Sequence, residues 1–198
     1  MLIHLRRSLV MAVICLVFFG FVYALVGTGV AQLFFRGQAD GSITANGSSL
    51  IGQNWSSPRF FHGRPDDTGP YAADPKQDVA GGDNPLVANG NSGESGASNL
   101  GPRSKVLVSN TKALVAYWHK MGVNPTPDLV TTSGSGYDPD ITPADAMVQI
   151  PMVSNATGIA PSTLRALINK ESNSAQWGFL GSSYINVLQL NTALSHLR

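Results

Sequence analysis

Residues Ser8–Phe35 read SLVMAVICLVFFGFVYALVGTGVAQLFF and contain no charged side chain over 28 residues. As an α-helix rising about 1.5 Å per residue, this run is longer than the hydrocarbon core of a bilayer, which is about 30 Å thick. We therefore predict a single N-terminal transmembrane helix over residues 8–35. A cleaved signal peptide is the alternative, but its apolar region typically spans only about 7–15 residues, so the longer run favours a retained span.

Two arginines set the predicted orientation of this helix. Arg6 and Arg7 precede the apolar run, and basic residues favour the cytoplasmic side of a membrane. Residues 1–7 are thus predicted to be a cytoplasmic N-terminus and residues 36–198 an extracytoplasmic domain. The chain is then a single-pass protein of the cell (inner) membrane.

Composition excludes several classes of function. Lys and Arg number 13 against 12 Asp and Glu, a net charge of +1, which gives no basic surface for nucleic-acid binding. The single cysteine, Cys15, excludes an intramolecular disulfide framework and a cysteine-based zinc site. The four histidines are scattered along the chain at positions 4, 62, 119 and 196, so no metal site is predicted.

The sequence after the span predicts a mixed α/β (α+β) domain. Apolar periodicity predicts helices over Ser104–Met121, from Thr142 and from Pro161. Short apolar runs predict strands, and one such run near the C-terminus predicts a strand or a strand-to-helix junction. These runs are Ser49–Gln53, Arg59–His62, Asp128–Thr132 and, for the junction, Tyr184–Leu190. Lys76–Ala97 has five glycines and no aromatic residue, which predicts a mobile loop at residues 76–97.

The clearest helix start lies at Thr142-Pro143-Ala144-Asp145. Thr142 can cap the helix and Pro143 suits its first turn. Asp145 lies where the free amides of the first turn favour a negative charge. Pro151 falls inside the same helix and removes one backbone hydrogen bond, which predicts a kink over residues 147–151.

Motifs for catalysis are absent. The sequence has no G-x-x-x-x-G-K-[ST] and no H-E-x-x-H. Ser133-Gly134-Ser135-Gly136 lacks the G-x-S-x-G frame of a nucleophile turn, so no catalytic residue is predicted. A membrane-anchored extracytoplasmic hydrolase using Ser135, or a sensor module, is the alternative function.

Five segments in order behind the N-terminal span carry a resemblance to a known family. They are SLIGQNW, FFHGRP, SNLGP, DLVTTSGSGYDPDITPADAMVQI and INVLQLNTAL. Together they resemble the C subunit of the Kdp potassium-transporting ATPase, the KdpC family. The segment 76–97 is longer than the short linker expected before SNLGP in that family.

The resemblance implies an accessory, non-catalytic subunit of an ATP-driven, high-affinity potassium uptake pump. Its implied partners are a potassium-channel-like subunit and a P-type ATPase subunit, which it would assemble or stabilise. This chain lacks D-K-T-G, the phosphorylated sequence of P-type ATPases. Family members are described as raising the ATP affinity of the ATPase subunit, with a Gln in the helix after the S-G-S-G loop among the nucleotide contacts. By motif position that residue is Gln149.

A direct contact between Gln149 and ATP conflicts with the predicted orientation, because ATP is cytoplasmic. No cofactor is therefore predicted from the residues themselves, and ATP is implied by resemblance alone. The other interpretation makes Gln149 a polar residue on the helix surface or at an interface, where exchange to Ala would cost at most about 1 kcal/mol. Structural roles are expected for His62, Arg64 and Asn99.

Overall fold

The structure is a computed structural model that describes residues 2–53, 55, 57–65, 99–134 and 138–197. The chain divides into two units, Met1–Thr44 and Ala45–Arg198. The predicted loop at 76–97 and the residue Ser135 lie outside the described residues.

The first unit is dominated by one long apolar helix. Helix α1 (Leu2–Cys15), a π-helical stretch (Leu16–Val22) and helix α2 (Tyr23–Phe34) follow one another without a break. This helix of 33 residues contains an 18-residue stretch with a mean hydropathy of 2.9, and none of its side chains is buried. Its length and composition suffice to cross a membrane, which confirms the predicted apolar helix, although the helix begins at Leu2 rather than Ser8. Helix α3 (Arg36–Ala39) and strand β1 (Ile43–Thr44) complete the unit.

The second unit is mostly helical, with few strands. Its described elements are β2 (Gly47–Ser48), α4 (Lys105–Lys120), a 3-10 helix (Asp128–Val130), β3 (Asp140–Ile141), α5 (Pro143–Thr157), α6 (Pro161–Glu171), β4 (Ile185–Asn186) and α7 (Val187–Ser195). Strands β3 and β4 pair antiparallel, with Asp140 opposite Asn186 and Ile141 opposite Ile185. The α/β expectation therefore overstated the strand content.

Three predicted strands are wrong. Residues 49–53 and 59–62 form turns and irregular backbone, and residues 128–130 form the 3-10 helix. Apolar side chains of the last two segments are nevertheless buried, as at Phe61 and Leu129, whereas Leu50 and Ile51 of the first are exposed. Burial produced the strand-like pattern, but no neighbouring strand lies against these segments in the described part of the chain. The predicted junction at Tyr184–Leu190 is confirmed, since β4 runs directly into α7.

The core of the second unit lies where α4, α5, α6 and α7 meet. Helix α5 packs on α6, and α6 packs on α7. Trp118 of α4 is fully buried, and its indole Nε1 donates a hydrogen bond to the Leu129 carbonyl at 3.0 Å. The apolar face of α6 is buried through Leu164, Leu167 and Ile168.

Helix α5 begins as the sequence predicts. The Thr142 hydroxyl accepts from the Asp145 amide at 3.2 Å, and the Asp145 carboxylate accepts from the Thr142 amide at 2.8 Å. This reciprocal pair is a capping box. The helix continues through Pro151 to Thr157, so the kink stays a prediction. Gly158 ends it with φ = +77°, a left-handed conformation that favours glycine.

Exchange of Thr142 to Ala should lower the free energy of unfolding by about 1–2 kcal/mol, because the Asp145 amide loses its acceptor. Denaturant unfolding of the full chain in detergent measures this loss. Thr163→Ala, an exposed threonine in the first turn of α6, is the matched control and should change stability by less than about 0.5 kcal/mol. Equal losses in the two variants would contradict the capping role.

Candidate functional site around Gln149

Gln149 lies in the middle of α5 and is completely buried. Its Oε1 accepts from the His62 amide at 2.8 Å, and its Nε2 donates to the His62 carbonyl at 3.0 Å. Nε2 also donates to the Asp145 carbonyl at 3.2 Å. Both hydrogens of the side-chain amide are therefore used within the domain. The interpretation of Gln149 as a helix-surface residue is wrong.

Asn191 of α7 binds the backbone of Phe61, the residue before His62, in the same way. Its Oδ1 accepts from the Phe61 amide at 2.9 Å, and its Nδ2 donates to the Phe61 carbonyl at 2.8 Å. Asn191 is also fully buried. We call Gln149, Asn191 and the backbone of Phe61 and His62 the amide clamp.

The amide clamp replaces a strand pairing. In an extended segment, successive residues direct their backbone polar groups to opposite sides. Each side-chain amide supplies one acceptor and one donor to a single residue, as a neighbouring strand does. Helices α5 and α7 thus hold the Phe61–His62 backbone from two sides. This explains why residues 59–62 carry a strand-like sequence and lack a strand partner.

The His62 imidazole is buried beside the clamp and is neutral. Nε2 lies 3.0 Å from the Ser57 carbonyl, and since a carbonyl only accepts, Nε2 carries the proton. Nδ1 is buried and has no hydrogen-bond partner among the described residues. The ring packs against Trp118 with a centroid separation of 5.4 Å. Burial lowers the pKa of His62 to about 4, although its hydrogen bond to Ser57 opposes that shift.

Arg64 ties the same segment to the loop that precedes α5. Its guanidinium donates to the carbonyls of Thr131 and Thr132 at 3.3 and 3.0 Å. It also lies 3.6 Å from the Asp138 carboxylate and 4.0 Å from that of Asp128. The expected structural roles of His62 and Arg64 are confirmed.

Asn99 is the third residue for which the sequence predicts a structural role. It adopts a φ of +53°, a left-handed conformation that asparagine tolerates better than most residues. Its side chain is exposed, so the structural role of Asn99 stays a prediction.

The acidic residues near α5 are engaged in the fold. Asp138 faces Arg64, and Asp145 completes the capping box and also accepts a short hydrogen bond from the Thr126 hydroxyl. Asp140 accepts from Asn186 at 3.1 Å. Burial raises the pKa of Asp140, with the neighbouring Asp138 charge adding to this and the Asn186 hydrogen bond opposing it. Among the described residues, no three His, Cys, Asp or Glu side chains group as metal ligands.

A groove of about 330 Å³ lies beside α7. Within the part of the chain that the structure describes, the buried Trp55 indole Nε1 has no hydrogen-bond partner. The centroids of the Trp55 and Phe60 rings are 4.9 Å apart. Only Asn191 belongs to both the groove and the amide clamp, and its polar atoms already bind Phe61. The lining residues are Asn46, Trp55, Phe60, Asn191, Thr192, Ser195 and His196.

Comparison with known proteins gives one consistent answer. The family model "K+-transporting ATPase, c chain" (KdpC) matches residues 5–196. A potassium-transporting ATPase KdpC subunit of Gloeobacter violaceus is 42% identical over 186 residues, which cover 90% of this chain and 88% of that protein. The KdpC subunit of Methylorubrum populi is 41% identical over 204 residues, covering 100% and 98%. That of Caulobacter vibrioides is 41% identical over 202 residues, covering 98% and 93%.

Exchange of Gln149 to Ala should lower the free energy of unfolding by about 3 kcal/mol. The His62 amide and carbonyl would be left buried and unpaired, and each such group costs about 1–3 kcal/mol. Denaturant unfolding of the full chain in detergent is the measurement. Gln189→Ala, an exposed glutamine on α7, should change stability by less than about 0.5 kcal/mol. A loss of only about 1 kcal/mol for Gln149→Ala would contradict the buried position of this side chain and favour a place on the helix surface.

Acid should destabilise the domain through His62. The folded pKa of about 4 lies below the ordinary value of 6.5, so between these values the unfolded chain binds a proton that the folded chain does not. The free energy of unfolding therefore falls as the pH drops from 6.5 to 4, by up to about 3 kcal/mol from this group.

The variant His62→Gln isolates that contribution, because other carboxyl groups titrate in the same range. Its unfolding free energy should depend less on pH between 6.5 and 4 than that of the wild type. His119→Gln removes an exposed histidine of α4 and should retain the wild-type dependence. Identical pH profiles for the wild type and His62→Gln would refute the buried neutral imidazole.

Proposed function

This chain belongs to the KdpC family, the c chains of K+-transporting ATPases, and on that premise we propose that it assembles and stabilises the pump. As a family member it is an accessory subunit of the Kdp potassium-transporting ATPase. The partners that we propose are the potassium-channel-like subunit and the P-type ATPase subunit. The observation that carries the proposal is the family match over residues 5–196.

The chain is proposed to be non-catalytic. It lacks D-K-T-G, and its described residues contain one helix long and apolar enough to cross a membrane, whereas an ion pathway through a bilayer needs several. The hydrolase hypothesis depends on Ser135, which the structure does not describe. No observation on the described residues favours that function or a sensor module.

We propose that residues 36–198 are extracytoplasmic, as Arg6 and Arg7 indicate. Any influence of this chain on the ATP affinity of the ATPase subunit then travels through contacts between subunits. The burial of Gln149 also supports an indirect influence on ATP affinity rather than a direct contact with the nucleotide. A nucleotide could bind to its side-chain amide only after displacing the His62 backbone, since both Nε2 hydrogens and one Oε1 position are occupied.

Purification through a tag on this chain should recover a multi-span channel-like subunit and a P-type ATPase. The complex should hydrolyse ATP in a potassium-dependent manner, while the isolated chain shows no turnover. Complex prepared without this chain should form in lower yield or require more ATP for half-maximal activity. ATP turnover by the isolated chain would contradict a non-catalytic role.

A calorimetric titration separates direct nucleotide contact from an effect through the fold. The full chain in detergent should show no micromolar binding of ATP with magnesium. The matched variants are Gln149→Ala and Asn191→Ala, because each removes one side of the amide clamp. Micromolar binding that is lost in Gln149→Ala and kept in Asn191→Ala would establish Gln149 as a nucleotide contact and overturn the proposal.

A further inference from the structure

The segment between α6 and β4 exposes two large aromatic side chains that are two positions apart in the sequence. Trp177 is 84% exposed and Phe179 is 73% exposed. In the described part of the second unit, no other large apolar side chain is as exposed as either. Two such exposed aromatic side chains in one short segment suggest a surface that contacts something else.

This segment is a well-formed hairpin, so its exposure does not come from a lack of structure. Gln176 and Leu180 exchange two backbone hydrogen bonds of 2.9 Å, and Asn173 and Tyr184 exchange two of 2.8 and 3.0 Å. At the tip, the Gly178 amide donates to the Ala175 carbonyl at 3.0 Å, and the Phe179 amide donates to Gln176 at 3.3 Å. The backbone from which the two rings project is therefore held by hydrogen bonds.

Trp177 occupies a costly place in this hairpin. Its φ is +53°, and the following Gly178 has φ = +82°. Two consecutive positive φ values are typical of a type I′ turn, whose first central position favours Asn, Asp or Gly. A bulky residue is strained there, and at 84% exposure the ring gains little packing within the domain. Strain without packing indicates a role outside the domain.

We propose that the tip of this hairpin, Trp177 and Phe179, inserts into the interfacial zone of the membrane that the chain's own N-terminal helix spans. Tryptophan concentrates at this depth because its ring is apolar and its N–H can still reach a hydrogen-bond partner. The proposal rests on the retention of the N-terminal helix. It does not depend on which side of the membrane the domain occupies.

Two features favour lipid over a protein partner. The amides of Gln176, Gly178, Phe179 and Leu180 are all paired within the hairpin, so they can leave water without losing hydrogen bonds. No Lys, Arg, Asp or Glu lies between Glu171 and Arg198, so the hairpin offers no charge to a complementary surface and carries none into the apolar layer. Because anchor and hairpin belong to one chain, the bilayer is also the partner at the highest local concentration.

Tryptophan fluorescence tests the proposal in the full chain. The N-terminal helix contains no tryptophan, and the other two are Trp55 and the buried Trp118. In vesicles of phosphatidylcholine brominated near the headgroup end of the acyl chains, part of the emission should be quenched, and that part should be lost in Trp177→Phe. Quenching should not change with salt or with added anionic lipid, because the tip is uncharged.

Trp177→Asn provides the control for folding, since Asn-Gly is a favoured type I′ pair. Its melting temperature should equal or exceed that of the wild type, while the Trp177 quenching disappears. A lower melting temperature would show that Trp177 packs within the domain, which overturns the proposal. So would equal quenching in the wild type and both variants. If the Trp177 emission shifts to the blue without quenching, the tip binds protein rather than lipid, which overturns the proposal. A shift that requires the other subunits identifies one of them as the partner. A shift that grows with the concentration of this chain identifies a second copy.

Discussion

Four backbone groups on two consecutive residues, the amides and carbonyls of Phe61 and His62, have to be paired in the middle of the core. Both residues are buried, and an unpaired buried group costs about 1–3 kcal/mol. Gln149 and Asn191 supply the four partners at 2.8–3.0 Å. Through these contacts α5, α7 and the segment that crosses between them become one body. The positions of His62 and Trp118 follow from this arrangement.

The amide clamp gives Gln149, a polar residue in a family motif, a structural role in the core. Gln149 lies in a helix that the KdpC resemblance associates with nucleotide binding, yet its hydrogen-bonding groups already hold the His62 backbone. An exchange at Gln149 therefore perturbs the core before it can affect a ligand. Asn191 occupies the equivalent place on α7 and has no such association, which makes the pair a means of separating folding from binding.

Local signals predicted the helices of the second unit well, because caps and stop residues act over a few positions. Thr142 with Asp145, and Gly122 after α4, have their effect within one turn. The clamp joins residues 87 and 130 positions apart in the sequence, so no local pattern could identify the partners of Phe61 and His62. The pattern of RFFH reflects only its own alternation and burial, not its distant partners. A signal for those partners is that Gln149 and Asn191 are polar residues among the mainly apolar buried positions of their helices.

The burial of its central polar groups bears on how this chain can act in a complex. Gln149, Asn191 and the backbone of His62 are fully used inside the domain. Arg64 pairs with Asp138, while Asp140 and Asp145 accept hydrogen bonds from other residues of the domain. Among the described residues, two of the exposed surfaces are apolar. One is the N-terminal helix, none of whose side chains is buried, and the other is the hairpin, whose two aromatic tip residues are exposed. A rigid core matters for such a subunit because a strained, exposed residue such as Trp177 keeps its position only when the structure around it is fixed. The hydrogen bonds inside the domain thus help to keep the exposed hairpin tip in the conformation in which it can make contacts.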